Sequence, residues 1–112
     1  MQTIAETPEY IRKAEKLLSD EERRDLLNYL ASHPRSGDLI EGTGGVRKLR
    51  WARGGRGKSG GVRVIYYFHA ETMPLYLLTL FVKNERANIS KAERNDLAGL
   101  VDLLVSAWYA ER

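Results

Sequence analysis

"VRKLRWARGGRGKSGGVRVIYYF" occupies residues 46–68, and two incompatible folds compete for it. Ala52, four intervening residues and then Gly57, Lys58 and Ser59 satisfy a relaxed nucleotide-binding pattern. Such a loop works because it follows a buried strand and opens a helix, so that helix N-terminus and loop amides together cradle the phosphates. Here Gly60 and Gly61 lead straight into "VRVIYYF" (62–68), whose β-branched and aromatic residues suit a central strand. A glycine pair does not start a helix. Before the loop, "VRKLRWA" alternates, with Leu49 and Trp51 directed one way and Lys48 and Arg50 the other. The stretch therefore reads as two antiparallel strands joined by a basic, glycine-rich turn, and the ATP-site reading lacks its helix and its parallel βαβ unit.

Working outward gives the rest of the fold. "HAETMP" (69–74) is a hairpin-like turn and "LYLLTLFV" (75–82) a further apolar strand, followed by a polar exit, "KNERANIS". Ser90 with Glu93 caps a last helix, whose stripe is Leu97, Leu100, Val101, Leu104 and Trp108. Towards the N-terminus, "QTIA" is a short β-capable piece. Thr7, Pro8 and Glu9 open a helix with Ile11, Ala14, Leu17 and Leu18 at helical spacing. Ser19 and Glu22 form a capping box that restarts the pattern through Leu26, Leu27 and Leu30, and Pro34 closes it. "RSGDLIEGTGG" is a connector rich in turn residues. The order of short strand, helical pair, three meander strands and terminal helix predicts an α+β fold. A length of 112 residues predicts a single domain, 1–112.

Composition narrows the chemistry. The absence of cysteine excludes a disulfide framework and thiolate metal ligands. No apolar run approaches the roughly 20 residues of a membrane span, and the start has no basic region followed by a long apolar segment. A soluble, cytoplasmic protein without a membrane partner is the expectation. The net charge is only +3, but Arg47, Lys48, Arg50, Arg53, Arg56, Lys58 and Arg63 fall within residues 42–70 with no acid among them, and eight of the ten glycines fall there too. A clustered positive field predicts a polyanionic partner. If the two strands pair, Lys48, Arg50 and Arg63 share one face. Cations so close repel one another unless an anion is bound. Of the interleaved Trp51, Tyr66, Tyr67 and Phe68, most are expected in the core, with one exposed member able to stack on a base.

The two histidines, His33 and His69, have no metal-ligand spacing with a carboxylate, and no Ser-His-Asp or Cys-His arrangement stands out. Both read as structural, and no metal or cofactor is expected. The cations remain. A cationic cluster can stabilise the crowded anionic transition state of phosphoester transfer. A lysine among other cations has its charged form disfavoured and can serve as a base. Arginine stays protonated and can only stabilise charge or position a phosphate.

"GDLIEGTGGVRKLRWARGGRGKSGGVRVIYYF" followed by "LYLLTLFVKNERANIS" resembles the RelE/ParE superfamily of bacterial toxins, and within it the HigB-like branch of RelE-type toxins. The resemblance runs from the helical pair through the last helix. It implies two N-terminal helices packed on a mainly antiparallel sheet of about four strands, plus a C-terminal helix. It also implies a ribosome-dependent, metal-independent endoribonuclease that cuts mRNA in the ribosomal A site by attack of the ribose 2′-OH on the adjacent phosphate, and a cognate antitoxin that blocks it. The implied partners are thus the antitoxin, the 30S A site and mRNA, with no nucleotide cofactor. Carried over by position, the resemblance implies that Arg63 corresponds to the strand arginine that binds the scissile phosphate. Lys48 and Arg50 are the basic pair on the preceding strand, and Lys83 and Arg86 are the basic residues after the last strand. Lys58 and Arg53 are the extra loop cations of the HigB-like branch. Lys48, Arg50, Lys58, Arg63 and Lys83 are the expected catalytic set, and Arg47, Arg53, Arg56, Arg86 and Tyr66 the expected RNA contacts. No tyrosine lies between Tyr76 and Tyr109, where some relatives carry a functional one, so the general base and acid are unassigned. Two other readings stay open: a ParE-like toxin that inhibits DNA gyrase without cutting RNA, and an RNA-binding module without catalysis.

Overall fold

Every residue of Val62–Tyr67 is buried, and burial on both faces is what a strand made of Val, Ile and Tyr requires. In the computed structural model, which describes residues 1–52, 61–83 and 88–110, this strand is the middle of five. The elements are β1 (Ile4–Glu6), α1 (Pro8–Leu17), α2 (Asp20–Ser32), β2 (Asp38–Leu39), β3 (Val46–Trp51), β4 (Val62–Tyr67), β5 (Leu75–Val82) and α3 (Lys91–Ala110). The sheet order is β1-β5-β4-β3-β2. β2, β3, β4 and β5 pair antiparallel in turn, and β1 pairs parallel with β5. The α+β expectation holds. The additions are the edge strand β2, inside the connector, and the parallel docking of β1. Both strands are too short for a period-2 pattern to show.

The helices begin where their caps place them. Thr7 accepts from the Tyr10 amide, Ser19 and Glu22 close a reciprocal capping box, and Ser90 and Glu93 close another. The sheet separates two cores. Val62, Val64, Tyr66 and Phe68 pack with Leu75, Leu77 and Leu80 against Tyr10, Ala14, Leu26 and Leu30 of α1 and α2. Val46, Ile65, Tyr67, Leu78 and Phe81 pack on the other face against Val101, with Leu97, Leu104 and Trp108 of α3 beside them. Alternation along β4 decides which residue meets which helix layer. α3 begins just beyond the end of β5 and reaches the opposite end of the sheet, where Tyr109 meets His69 edge-on at 5.8 Å.

Candidate nucleic-acid interface

The basic residues are sorted by strand register. β3 and β4 pair with Arg47 opposite Tyr66, Lys48 opposite Ile65, Leu49 opposite Val64, Arg50 opposite Arg63 and Trp51 opposite Val62. Val64 and Tyr66 belong to the α1–α2 core and Ile65 to the α3 core. Lys48, Arg50 and Arg63 therefore share the α3 side of the sheet, as the alternation requires. Phe81 of β5 stands opposite Arg63, so one row across the sheet reads Phe81, Arg63, Arg50. Lys48 lies one row away.

Arg63 is only 5% exposed, Lys48 is half-buried and Arg50 is open to solvent. Like charges directly opposite each other in a sheet are unfavourable. Burial first, and the Arg50 charge second, hold the Arg63 guanidinium below its ordinary pKa. The group stays charged at neutral pH all the same. An anion seated over the Arg50–Arg63 pair would offset the repulsion between the two guanidinium groups.

Lys83 is exposed, one residue beyond β5. The pairs Val62–Val82 and Trp51–Val62 put it at the same end of the sheet as the Arg50–Arg63 row. The expectations for Arg53, Arg56, Lys58 and Arg86 fall outside the described residues. The first three fall between β3 and β4 in sequence, and Val62 opens β4. The Gly57-Lys58-Ser59 pattern thus lacks the helix a nucleotide loop needs.

Two expected RNA contacts are placed elsewhere. Arg47 lies on the α1–α2 side, where its Nη1 donates to the carbonyls of Arg35 (3.0 Å) and Gly37 (2.8 Å). It ties the chain after α2 to β3. Tyr66 is fully buried. Its hydroxyl donates to the Pro34 carbonyl and accepts from the Gly37 amide, each at 2.8 Å. A ring with no exposed face cannot stack on a base, so Tyr66 is a staple and not an RNA contact. The clue was in the sequence: β4 is a central strand, and alternate members of "VRVIYYF" must enter opposite cores.

The histidines pack as expected. His33 Nδ1 lies 3.2 Å from the Tyr29 carbonyl and its ring stacks on Tyr29 at 4.7 Å, while His69 Nδ1 meets the Tyr67 hydroxyl at 2.9 Å. Sequence reasoning missed one neighbour of the site, Phe81, because cross-strand register is invisible until β5 is paired. A family model described as the RelE toxin of the RelE / RelB toxin-antitoxin system matches residues 6–108.

Proposed function

The chain belongs to the RelE toxin family, and from that premise we propose that it is a ribosome-dependent, metal-independent endoribonuclease that cuts mRNA in the ribosomal A site and so stops translation. The observation that supports this reading best is the pairing of Arg50 with a buried Arg63, with Lys48 on the same face. Three cations held by two paired strands are pre-organised for a phosphodiester that gains negative charge as it reacts.

The chemistry follows from the residue types. The 2′-oxygen attacks the adjacent phosphorus, the bond to the 5′-oxygen breaks, and a 2′,3′-cyclic phosphate and a 5′-hydroxyl result. Arg63 and Arg50 neutralise the non-bridging oxygens, as arginines that cannot lose their protons must. A lysine of the cluster in its unprotonated form takes the proton from the 2′-hydroxyl and, once protonated, returns it to the departing 5′-oxygen; among the described residues Lys48 is the lysine on the same face as the arginine pair. No step calls for a metal ion.

The test is in vitro translation of a reporter mRNA with purified protein, with breaks mapped by primer extension. Controls are mRNA without ribosomes, and the Arg63→Ala and Arg50→Ala proteins checked for folding by circular dichroism. Discrete breaks that require ribosomes and both arginines are expected. Intact mRNA together with a wild-type protein that still poisons cells refutes the reading. Loss of plasmid supercoiling by gyrase would then mark the ParE-like alternative.

A further inference from the structure

Trp51 closes β3 and carries the one ring of the basic segment that keeps an open surface. Tyr66, Tyr67 and Phe68 are at most 6% exposed, whereas Trp51 is half-buried. It stands opposite Val62, on the α1–α2 side of the sheet. There its indole meets the Tyr29 ring at 5.3 Å, and Tyr29 in turn stacks on His33 at 4.7 Å. The three rings form a line whose outer member, His33, is exposed. Arg50, the neighbour of Trp51 along the strand, is exposed on the other face.

We infer that Trp51 is the base-binding residue of this site: as RNA crosses the edge of β3, an unpaired nucleobase flanking the phosphate over Arg50 and Arg63 stacks on the indole. The inference rests on the nuclease reading for the place of that phosphate. Three observations carry it. First, the edge is open. β2 pairs with β3 only at Arg47 and Lys48, so among the described residues no strand flanks Leu49, Arg50 or Trp51 on that side. A single strand of RNA can pass there from one face of the sheet to the other. Second, successive residues of a strand rise about 3.3 Å and point to opposite faces, so the Arg50 cation and the Trp51 ring bracket this edge within the reach of one nucleotide. Third, the ring type exceeds what packing asks for. Closing the α1–α2 core here needs only an apolar side chain, as Leu49 supplies two residues earlier. An indole lined up with two further rings beside a cation is the pairing of stacking platform and phosphate contact that suits single-stranded RNA.

Tyr29 and His33 act as the backing of this platform. His33 Nδ1 lies 3.2 Å from the Tyr29 carbonyl, which holds the imidazole against Tyr29, and Tyr29 holds the indole. Trp51 is thus a substrate-positioning residue. Stacking fixes the flanking nucleotide so that its phosphate stays over the arginine pair, and the chemical step is left to the cations. Every base has a π face, so the contact raises affinity without choosing a sequence.

The experiment is ribosome-dependent cleavage measured against protein concentration for wild type, Trp51→Leu and Trp51→Phe, on normal mRNA and on mRNAs with one abasic nucleotide at each position flanking the cut. Urea unfolding checks that the variants are folded. Leucine keeps an apolar side chain and loses the π face, whereas phenylalanine keeps both. Trp51→Leu should raise the half-saturating concentration about tenfold, the scale of one base–aromatic stack, with the maximal rate within twofold of wild type. Trp51→Phe should recover most of that loss. One abasic position should weaken wild type by the same factor and leave Trp51→Leu unchanged. Folded Trp51→Leu that saturates like wild type, or that loses the same factor on every abasic mRNA, overturns the inference and leaves the nuclease reading standing. A second arm needs no cleavage: quenching of tryptophan fluorescence by a 2′-deoxy hexanucleotide, with Trp51→Phe retaining Trp108 alone. If wild-type protein cuts nothing, the nuclease reading falls, and quenching in wild type but not in Trp51→Phe keeps Trp51 as a base-binding residue. Equal quenching in the two proteins, or none in either, then overturns the inference as well.

Discussion

Removal of one oxygen, Tyr66→Phe, separates a structural role for this residue from an RNA-binding one. The hydroxyl joins the Pro34 carbonyl and the Gly37 amide, each at 2.8 Å, inside a fully buried environment. Phenylalanine keeps the ring and its packing but leaves the buried Gly37 amide unsatisfied and the half-buried Pro34 carbonyl without its donor. An orphaned buried polar group costs about 1–3 kcal/mol. Water has little access to the pair, because Gly37 is itself buried and a Cβ there would meet the Tyr66 hydroxyl at 2.9 Å. The expected loss is therefore about 2 kcal/mol, or roughly 8 °C in Tm at about 4 °C per kcal/mol for a domain of this size. Urea unfolding of wild type and variant measures the stability. The translation assay, run well below the variant's Tm and normalised to folded protein, measures cleavage. The reasoning requires a large loss of stability and a cleavage rate within twofold of wild type. Unchanged stability with a tenfold slower rate would refute it and return Tyr66 to the substrate.

Three shorter predictions follow from other contacts. Burial, and then the Glu6 charge, push the Tyr10 hydroxyl up to about 12, against the opposing pull of the neighbouring Arg23. Since the folded state holds its proton more tightly, stability is intact below pH 10 and falls as pH rises towards 12, by about 1.4 kcal/mol per pH unit. Tyr10→Phe should flatten that decline in denaturant melts at pH 9–12 and cost less than about 1 kcal/mol at pH 7. A Cβ on Gly61 would collide with the Trp51 carbonyl oxygen. Gly61→Ala should thus cost about 2–3 kcal/mol and loosen the Arg50–Arg63 row, read as faster amide exchange at Trp51 and Val62 together with slower cleavage. Arg50→Gln removes a like charge opposite Arg63 and should stabilise the protein by a few tenths of a kcal/mol while slowing cleavage. Sulfate should raise the Tm of wild type more than that of this variant.

The helix starts were legible because capping is local: Thr7, Ser19 and Ser90 each act within three residues of themselves. The shared face of Lys48 and Arg50 was equally local, since alternation needs only two positions on one strand. That Arg63 joins them required pairing, which the glycine-rich turn between two strand-like segments already implied. Arg47 faces the other side of the sheet for the complementary reason. It sits in the same run of cations, but its place in the pleat turns it to the carbonyls of Arg35 and Gly37.

What the sequence determined by itself is therefore what depends on neighbours along the chain: the strand–turn–strand unit in place of a nucleotide loop, the capped helices, and the concentration of positive charge in one quarter of the protein. The tertiary structure decided how that charge is divided. Register put Phe81, Arg63 and Arg50 in one row, sent Tyr66 into the α1–α2 core, and left a groove between α1 and α3 that no segment of sequence announces. The physical reason is that burial and cross-strand distance depend on residues far apart along the chain. Arg63 is set apart from the other arginines because packing removes its water and sets another cation opposite it.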